Sequence, residues 1–328
     1  MNRSHKTPTF SPFLIALLLV FGLSSATCSG LNGIPEPQPQ QEQSPRLVDL
    51  FIPGTHDSGA INGIAKCQDI SLEEQLAVGI RAFDIRLVDR YDGSGKMDVY
   101  HGIVKYPLEW TEDILPLFAR FLVDHPDEFI IISLRKEDDK NGSAEHHQAY
   151  QTSLLNSIDD ERVSSFVYRG PITLRTTKKD LAGKIVIFSR NKFADAVPIA
   201  QYDSFGHDKT ARTSLVWPGL DRQPFPLLIE DDYKVQDIIH KSDKKTAIKE
   251  ALELAAEVPG DELNIFFLSG SAPALPLSVA RAINPFALEL LKGMSTPPAG
   301  IYFVDFAGRS ETRELINYLQ ELNEQNDK

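Results

Sequence analysis

The chain has 328 residues, of which 42% are hydrophobic and 24% are charged, so it is long enough to bury one large core. Its formal net charge of -12 excludes a typical nucleic-acid binder, because phosphate contacts need clustered Lys and Arg. The same charge disfavours strong attraction to anionic membranes, so any membrane contact would depend on apolar loops or a small basic patch. We expect one barrel-sized domain.

Residues 1–27 have the pattern of a secretory signal peptide. Two basic residues precede an apolar run at 13–23, and small residues follow it at 24–27. The run is too short to span a bilayer of roughly 30 Å as a helix. We therefore expect a secreted protein, with a permanent anchor or lipidation at Cys28 as the alternatives. In an oxidising compartment, Cys28 and Cys67 could form one disulfide.

Residues 28–46 are rich in Pro and Gln and predict a flexible linker, so folding should begin at Leu47 and extend to the end of the chain. Beyond the linker, short apolar runs alternate with polar stretches of helical periodicity. Helices are predicted at 110–124, 237–258 and 310–323, with Ser310 as a candidate N-cap, whereas 191–223 resembles a loop. Eight strands are predicted, at 50–52, 80–87, 97–100, 129–134, 185–188, 225–229, 265–268 and 301–306.

Strands that alternate with helices indicate an α/β fold, and eight of them suit a single distorted (β/α)8 barrel of the TIM type. An open doubly wound sheet is the structural alternative. That fold would normally carry a glycine-rich phosphate turn after an early strand, and neither GxGxxG nor GxxxxGK[ST] occurs in this sequence.

Polar residues follow several predicted strands, and the carboxyl ends of the strands are where an α/β barrel carries its catalytic residues. His56 and Asp57 come directly after the first strand, and His101 ends the third. Alternation in the second strand places Asp84 and Arg86 together on the interior face. Later strands are followed by Arg135, Glu137, Arg190, Asp231, Tyr233 and Asp305. The remaining histidines are expected to face solvent, at positions 125, 146, 147, 207 and 240.

Two histidines with converging arginines fit general acid-base catalysis on a phosphodiester. One imidazole can take a proton while the other gives one near neutral pH, and an arginine can offset charge on the phosphoryl oxygens. Metal-dependent hydrolysis is the rival mechanism. That mechanism would require converging carboxylates without a cation among them, whereas Arg86 supplies positive charge where a divalent ion would otherwise bind.

The segments IPGTHDSG, RAFDIRL, YHG, EFIIISLRKE and GKIVIFSR occur in this order. Together they resemble the catalytic X-type domain of the bacterial-type phosphatidylinositol-specific phospholipases C. The resemblance runs from about Leu47 to Phe306, is strong through Arg190 and is weaker across 191–300. It implies a distorted eight-stranded barrel and metal-independent cleavage of phosphatidylinositol, or of a glycosylphosphatidylinositol, to diacylglycerol and inositol 1,2-cyclic phosphate. No cofactor is implied.

The resemblance also implies catalytic roles. His56 matches the general base that deprotonates the inositol 2-hydroxyl, and Asp305 matches the acid that orients it. His101 matches the general acid, assisted by Asp84. The pair that binds and polarises the phosphate is matched by Arg86 and Asp57.

The headgroup-binding positions are matched by Arg190, Asp231 and Tyr233, with the tyrosine under the sugar ring. Arg135 stands where the bacterial enzymes typically carry a lysine, which keeps the charge but changes its reach and geometry. The headgroup preference is therefore less determined than the chemistry. Calcium-dependent relatives have Asn after the first histidine and further acids, so calcium dependence is not expected here.

Two other functions remain open at this point. One is a metal-dependent glycerophosphodiesterase-like or sphingomyelinase-D-like barrel, and the other is an inositol-lipid-binding module that has lost turnover. If the protein is a phospholipase C, we expect a monomer that binds a phosphatidylinositol-containing membrane transiently and peripherally. The apolar loop 272–277 is a candidate for that contact, with a buried crossover as the alternative.

Overall fold

The computed structural model describes residues 44–63, 65–138, 142–193, 197–271 and 273–326. The predictions made for residues 1–43, which include the signal peptide, Cys28 and most of the linker, lie outside these ranges. A helix long and apolar enough to cross a membrane is not found within them. Leu47 is fully buried, and Arg46 pairs with Thr177.

Nine strands close into a barrel, because β1 pairs with β11 on one side and with β2 on the other. Going around the ring, every pairing is parallel except the two made by β8. The predicted α/β barrel class is confirmed. The ring strands are β1 (Phe51–Thr55), β2 (Ala82–Asp89), β5 (Phe129–Lys136), β6 (Lys184–Ser189), β7 (Ala200–Tyr202), β8 (Thr210–Val216), β9 (Phe225–Glu230), β10 (Leu263–Phe267) and β11 (Gly300–Val304).

Two strands lie outside the ring. β3 (Met97–His101) runs antiparallel to the upper end of β2, and β4 (Val104–Glu109) pairs with β3. The third predicted strand is therefore correct as a strand but wrong as a member of the barrel. The reversed direction of β3 carries His101 back down to the rim, since Leu87 on β2 pairs with Val99 on β3.

Helices pack around the outside of the ring. A 3-10 turn (Leu47–Asp49) opens the described chain, and a π-helical turn (Trp110–Ile114) leads into α2. The helix predicted at 110–124 is thus confirmed. The α-helices are α1 (Leu72–Ala77), α2 (Leu115–Asp124), α3 (Ala144–Asp159), α4 (Lys178–Leu181), α5 (Ser242–Ala256), α6 (Pro276–Gly293) and α7 (Ser310–Asn326).

The strands divide their side chains between two cores. On β5, Ile131 belongs to the interior cluster, whereas Ile130 and Ile132 pack outward with the helices. The alternation predicted for β2 follows the same rule, because Phe83 and Ile85 pack outward. Asp84 and Arg86 consequently face the interior.

Three predictions of local structure were wrong. The supposed loop at 191–223 contains β7 and β8, which supply two of the nine ring strands. The helix predicted from Asp237 begins at Ser242, because the Asp237 carboxylate accepts hydrogen bonds from backbone N–H groups and holds a turn there instead. Ser310 is the first residue of its helix rather than the cap before it.

Candidate active site

His56 follows β1 directly and lies between an acid and an arginine. Its Nδ1 lies 2.9 Å from Asp305 Oδ1, and its Nε2 lies 2.8 Å from an Arg86 nitrogen. Because a guanidinium can only donate a hydrogen bond, Nε2 must be the acceptor. The ring proton is therefore on Nδ1, which donates a hydrogen bond to Asp305. The Gln68 amide holds the loop by donating to the carbonyls of His56 and Val304.

The buried carboxylate of Asp57 lies next to His56. Its carboxylate lies 2.7 Å from Arg86 Nε, 3.3 Å from His56 Nε2 and 3.4 Å from His101 Nε2. Asp57 has a φ of 42°, a left-handed conformation that a residue other than glycine rarely adopts. This turn allows two successive side chains to converge on one site.

His101 enters from β3 on the other side of Asp57. Its Nδ1 lies 2.8 Å from the Ala65 carbonyl, so this nitrogen is protonated and Nε2 faces Asp57. Gly102 follows with a φ of 59° and donates its N–H to Glu137. The resemblance implied that Asp84 assists His101, but the structure places Asp57 against this histidine.

Asp84 lies deeper in the barrel. Its carboxylate is 3.0 Å from Arg190 and 3.5 Å from Arg86, and it accepts the Asp57 N–H at 3.3 Å. Arg190 also donates to Ser133 and lies against the rings of Phe205 and Phe267. Asp84 therefore anchors two arginines from below the cleft.

Burial and charge set the proton affinities of the site. Burial, followed by the charge of Arg86, lowers the pKa of His56 well below its usual value, so this imidazole is neutral at neutral pH. Burial raises the pKa of Asp305 well above its usual value, and the negative charge of Asp57 adds to that effect. For Asp57, burial outweighs the attraction of Arg86 and raises the pKa to about 6.

Asp84 behaves in the opposite way. Burial alone would raise its pKa, but the charges of Arg190 and Arg86 outweigh that effect and lower it. Arg135 is also affected, because burial and then the charge of Arg86 lower the pKa of its guanidinium. The site thus holds one firmly ionised carboxylate, that of Asp84. Burial disfavours the charged forms of the neighbouring groups, which are His56, Asp57, Arg135 and Asp305.

His56, Arg86 and His101 line a cleft of about 560 Å³ at the carboxyl ends of the ring strands. The predicted headgroup residues Arg135, Arg190, Asp231 and Tyr233 line the same cleft, so the structure brings both predicted groups together. The remaining lining residues are Gly102, Glu137, Asn191, Phe205, His207, Ser269, Gly270 and Ser271.

Sequence reasoning missed two features of this cleft. His207 is exposed as expected, but it also lines the cleft and contacts Asp231, which the sequence did not indicate. Cys67 lies beneath the site, with Sγ 4.0 Å from both Asp57 and His101. The other histidines expected to face solvent do so, at positions 125, 146, 147 and 240.

The fold and the cleft define an α/β barrel in which two histidines flank a shared carboxylate that also contacts an arginine. No family model matches the chain. Its sequence is 27% identical to the 1-phosphatidylinositol phosphodiesterase of Listeria monocytogenes over 289 residues, which cover 82% of this chain and 80% of that protein. The corresponding Staphylococcus aureus protein is 26% identical over 277 residues, covering 80% and 85%.

Solved structures give the same result. A solved structure of the phosphatidylinositol-specific phospholipase C of S. aureus matches with a TM-score of 0.67 at 26% identity, covering 83% of this chain and 93% of that one. The L. monocytogenes enzyme matches with a TM-score of 0.61 at 26% identity, covering 84% and 94%. The S. aureus structure concerns modulation of the membrane binding of that enzyme.

These comparisons confirm the resemblance carried by the sequence motifs. The chain is similar to the bacterial phosphatidylinositol-specific phospholipases C in both sequence and fold. The same relatives confirm the predicted enzyme class.

Proposed function

We propose that this protein is a secreted enzyme that cleaves the phosphodiester of phosphatidylinositol into diacylglycerol and inositol 1,2-cyclic phosphate. One observation carries the proposal: His56 and His101 flank the same Asp57 carboxylate, which also holds Arg86, at a cleft lined mainly by polar residues. The similarity to phosphatidylinositol phosphodiesterases supports the substrate.

The first half of the reaction uses His56. Its neutral Nε2 takes the proton of the inositol 2-hydroxyl, and the resulting alkoxide oxygen forms a bond to phosphorus. As the imidazole becomes charged, the 2.9 Å contact with Asp305 becomes an ion pair, which favours proton transfer. Arg86 leaves His56 Nε2 free by turning toward the phosphoryl oxygens, where its charge stabilises the transition state.

The second half uses His101. The bond between phosphorus and the diacylglycerol oxygen breaks, and protonated His101 gives that oxygen its proton. Asp57 stabilises the protonated imidazole from 3.4 Å and holds only the Nε of Arg86, at 2.7 Å, which leaves the outer guanidinium nitrogens to the phosphoryl oxygens. The overall reaction takes one proton from the 2-hydroxyl and returns one to the leaving alcohol.

A metal-dependent barrel is the second candidate. Among the described residues, His56, Asp57 and Cys67 place ligand atoms within 4.8 Å of one another. The guanidinium of Arg86 lies against two of these three residues, which disfavours a divalent cation at the same point.

Phosphorus NMR of the products from phosphatidylinositol, with and without EDTA, tests both candidates. We expect a cyclic phosphate signal that EDTA does not change and that His56→Ala and His101→Ala each abolish. His125→Ala, on an exposed histidine at the end of α2, is the matched control and should behave as the parent. Full activity of both active-site variants would refute the proposal, and loss of activity in EDTA would favour the metal-dependent alternative.

Membrane contact is proposed at the cleft mouth. Among the described residues, six large apolar side chains are exposed, and four of them lie in loops at the carboxyl end of the barrel: Ile103, Ile238, Ile239 and Leu275. The β3–β4 turn places Ile103, which is 98% exposed, next to cleft-lining Gly102. Exposed apolar groups around a polar cleft fit a bilayer surface from which a lipid headgroup must be taken.

The two other exposed apolar residues, Val123 and Leu220, lie at the opposite end of the barrel and offer a matched control. We expect Ile103→Asp and Ile239→Asp to reduce activity on phosphatidylinositol vesicles at least about tenfold while sparing a short-chain monomeric substrate. Leu220→Asp should change neither activity. Equal losses on vesicles and on the monomeric substrate would contradict this surface.

A further inference from the structure

The barrel departs from a regular strand-helix repeat at β7 and β8. β7 runs parallel to β6 and ends at Tyr202, and β8 returns antiparallel from Thr210. The connection between them, residues 203–209, which we term the hairpin tip, therefore lies at the carboxyl end of the ring. The tip follows a strand that the apolar pattern did not reveal, and it contributes two aromatic rings to the cleft, Phe205 and His207.

The hairpin tip is fixed against the loop that follows β9. Thr210 pairs with Glu230, the Asp208 N–H donates to the Asp231 carbonyl at 2.8 Å, and the Asp231 N–H donates back to Lys209. Asp208 has a φ of 63° and accepts hydrogen bonds from Lys234. These contacts set the height of the tip relative to Asp231.

His207 contacts the Asp231 carboxylate. Its Nδ1 lies 3.2 Å from Oδ2, and because an ionised carboxylate only accepts, Nδ1 donates. Among the described residues, His207 is the one side chain within hydrogen-bond distance of this carboxylate. The orientation of Asp231 thus depends on the imidazole.

Phe205 contacts Arg190 and restricts the orientation of its guanidinium. Its ring lies 4.2 Å from the guanidinium carbon, and it also packs edge-on against Phe267 at 6.0 Å and lies 5.1 Å from the His207 ring. With Asp84 and Ser133 beneath, the aromatic face closes the upper side of the guanidinium and restricts its rotation.

We propose that the hairpin tip, through His207 and Phe205, is a headgroup-recognition element that positions Asp231 and Arg190 to bind the hydroxyls of an inositol ring. This inference rests on the proposed function for the identity of the polyol. His207 and Phe205 are positioning residues that act through the carboxylate and the guanidinium. The hairpin tip joins β7 and β8, which lie across the ring from β1 and His56, so removal of either side chain should affect binding rather than the chemical step.

The test measures binding of myo-inositol 1-phosphate by calorimetry, alongside kinetics on phosphatidylinositol. His207→Ala should raise the Kd about tenfold, because it removes a hydrogen bond to a charged group at a partly exposed site. It should raise KM similarly while kcat stays within about twofold. His207→Asn, whose amide N–H occupies the Nδ1 position, should restore most of the affinity, and Phe205→Leu should behave like His207→Ala.

Ser204→Ala is the matched control, since Ser204 lies in the same tip but bonds to Thr213 at the surface. Unchanged Kd and KM in His207→Ala would overturn the inference, as would equal losses in the Ala and Asn variants at an unchanged melting temperature. A parent protein that binds the probe but does not cleave phosphatidylinositol would refute the proposed function alone. If it neither binds nor cleaves, both are refuted.

Discussion

Replacement of Asp57 by Asn should stabilise the fold while it removes activity. The Asp57 carboxyl is nearly fully buried, and burial raises its pKa from 3.8 to about 6 despite the attraction of Arg86. At 1.36 kcal/mol for each pH unit, this difference corresponds to about 3 kcal/mol that the fold loses by holding the charged form. Because the pKa is higher in the folded than in the unfolded state, this loss is absent below about pH 4 and complete above about pH 6.

The assay is urea unfolding of the parent and Asp57→Asn at pH 4 and pH 7. The free energy of unfolding of the variant, relative to the parent, should increase by up to about 3 kcal/mol between the two values. Asp221→Asn, in the exposed turn before β9, controls for removal of one negative charge. At pH 7 the same Asp57→Asn protein should have lost at least about 100-fold in kcat, because His101 and Arg86 both lose a charged partner.

A relative stability of Asp57→Asn that is the same at both pH values would refute this reasoning. It would show that Arg86 and the two histidines offset the full cost of burying the carboxylate. A variant that is less stable than the parent at pH 7 only would refute it more strongly, because the sign of the burial effect would then be wrong.

Three further predictions concern the same barrel. Asp305→Asn should lower kcat about 10- to 150-fold with little change in KM, because the charged hydrogen bond to His56 contributes about 1.5–3 kcal/mol; an unchanged kcat in steady-state assays would contradict this. Arg86→Lys should lower kcat/KM at least about tenfold, because an ammonium cannot face both Asp57 and the phosphate as a guanidinium does; full activity would refute the bidentate role. Lys244→Met should destabilise the protein by about 3–5 kcal/mol in urea unfolding, because it leaves Glu230 buried without its 2.7 Å partner, and Glu230→Gln in the same chain should recover much of the loss.

The structure brings most of the predicted site residues together, and the reason is geometric. Parallel strands end at the same edge of a sheet, so polar residues after successive strands must converge once the ring closes. His56, Arg190, Asp231 and Asp305 all follow ring strands and needed no knowledge of the intervening helices. Asp84 and Arg86 followed from alternation in a strand whose other face is apolar.

The misses share a different cause. β7 has three residues and β8 is half exposed, so neither gives the continuous apolar run that marks a strand buried on both faces. Without these strands the hairpin tip had no assigned place, and His207 was interpreted as an ordinary surface histidine. His101 was predicted to lie with the other site residues for an incomplete reason, since β3 reaches them from outside the ring in the reverse direction.

The adjacency of His56 and Asp57 is itself a source of cost. In an extended chain, successive side chains point to opposite faces. His56 and Asp57 can both contact Arg86 only because Asp57 adopts a left-handed backbone, which costs on the order of 1–3 kcal/mol. Burial of its carboxylate adds to that cost. Two hydrogen bonds hold the turn in place, one from the Gln68 amide to the His56 carbonyl and one from the Ser58 N–H to the Asp84 carbonyl. A site assembled in this way is stabilised by its surroundings rather than by its own contacts, which is why neutralising Asp57 should strengthen the fold and abolish the chemistry together.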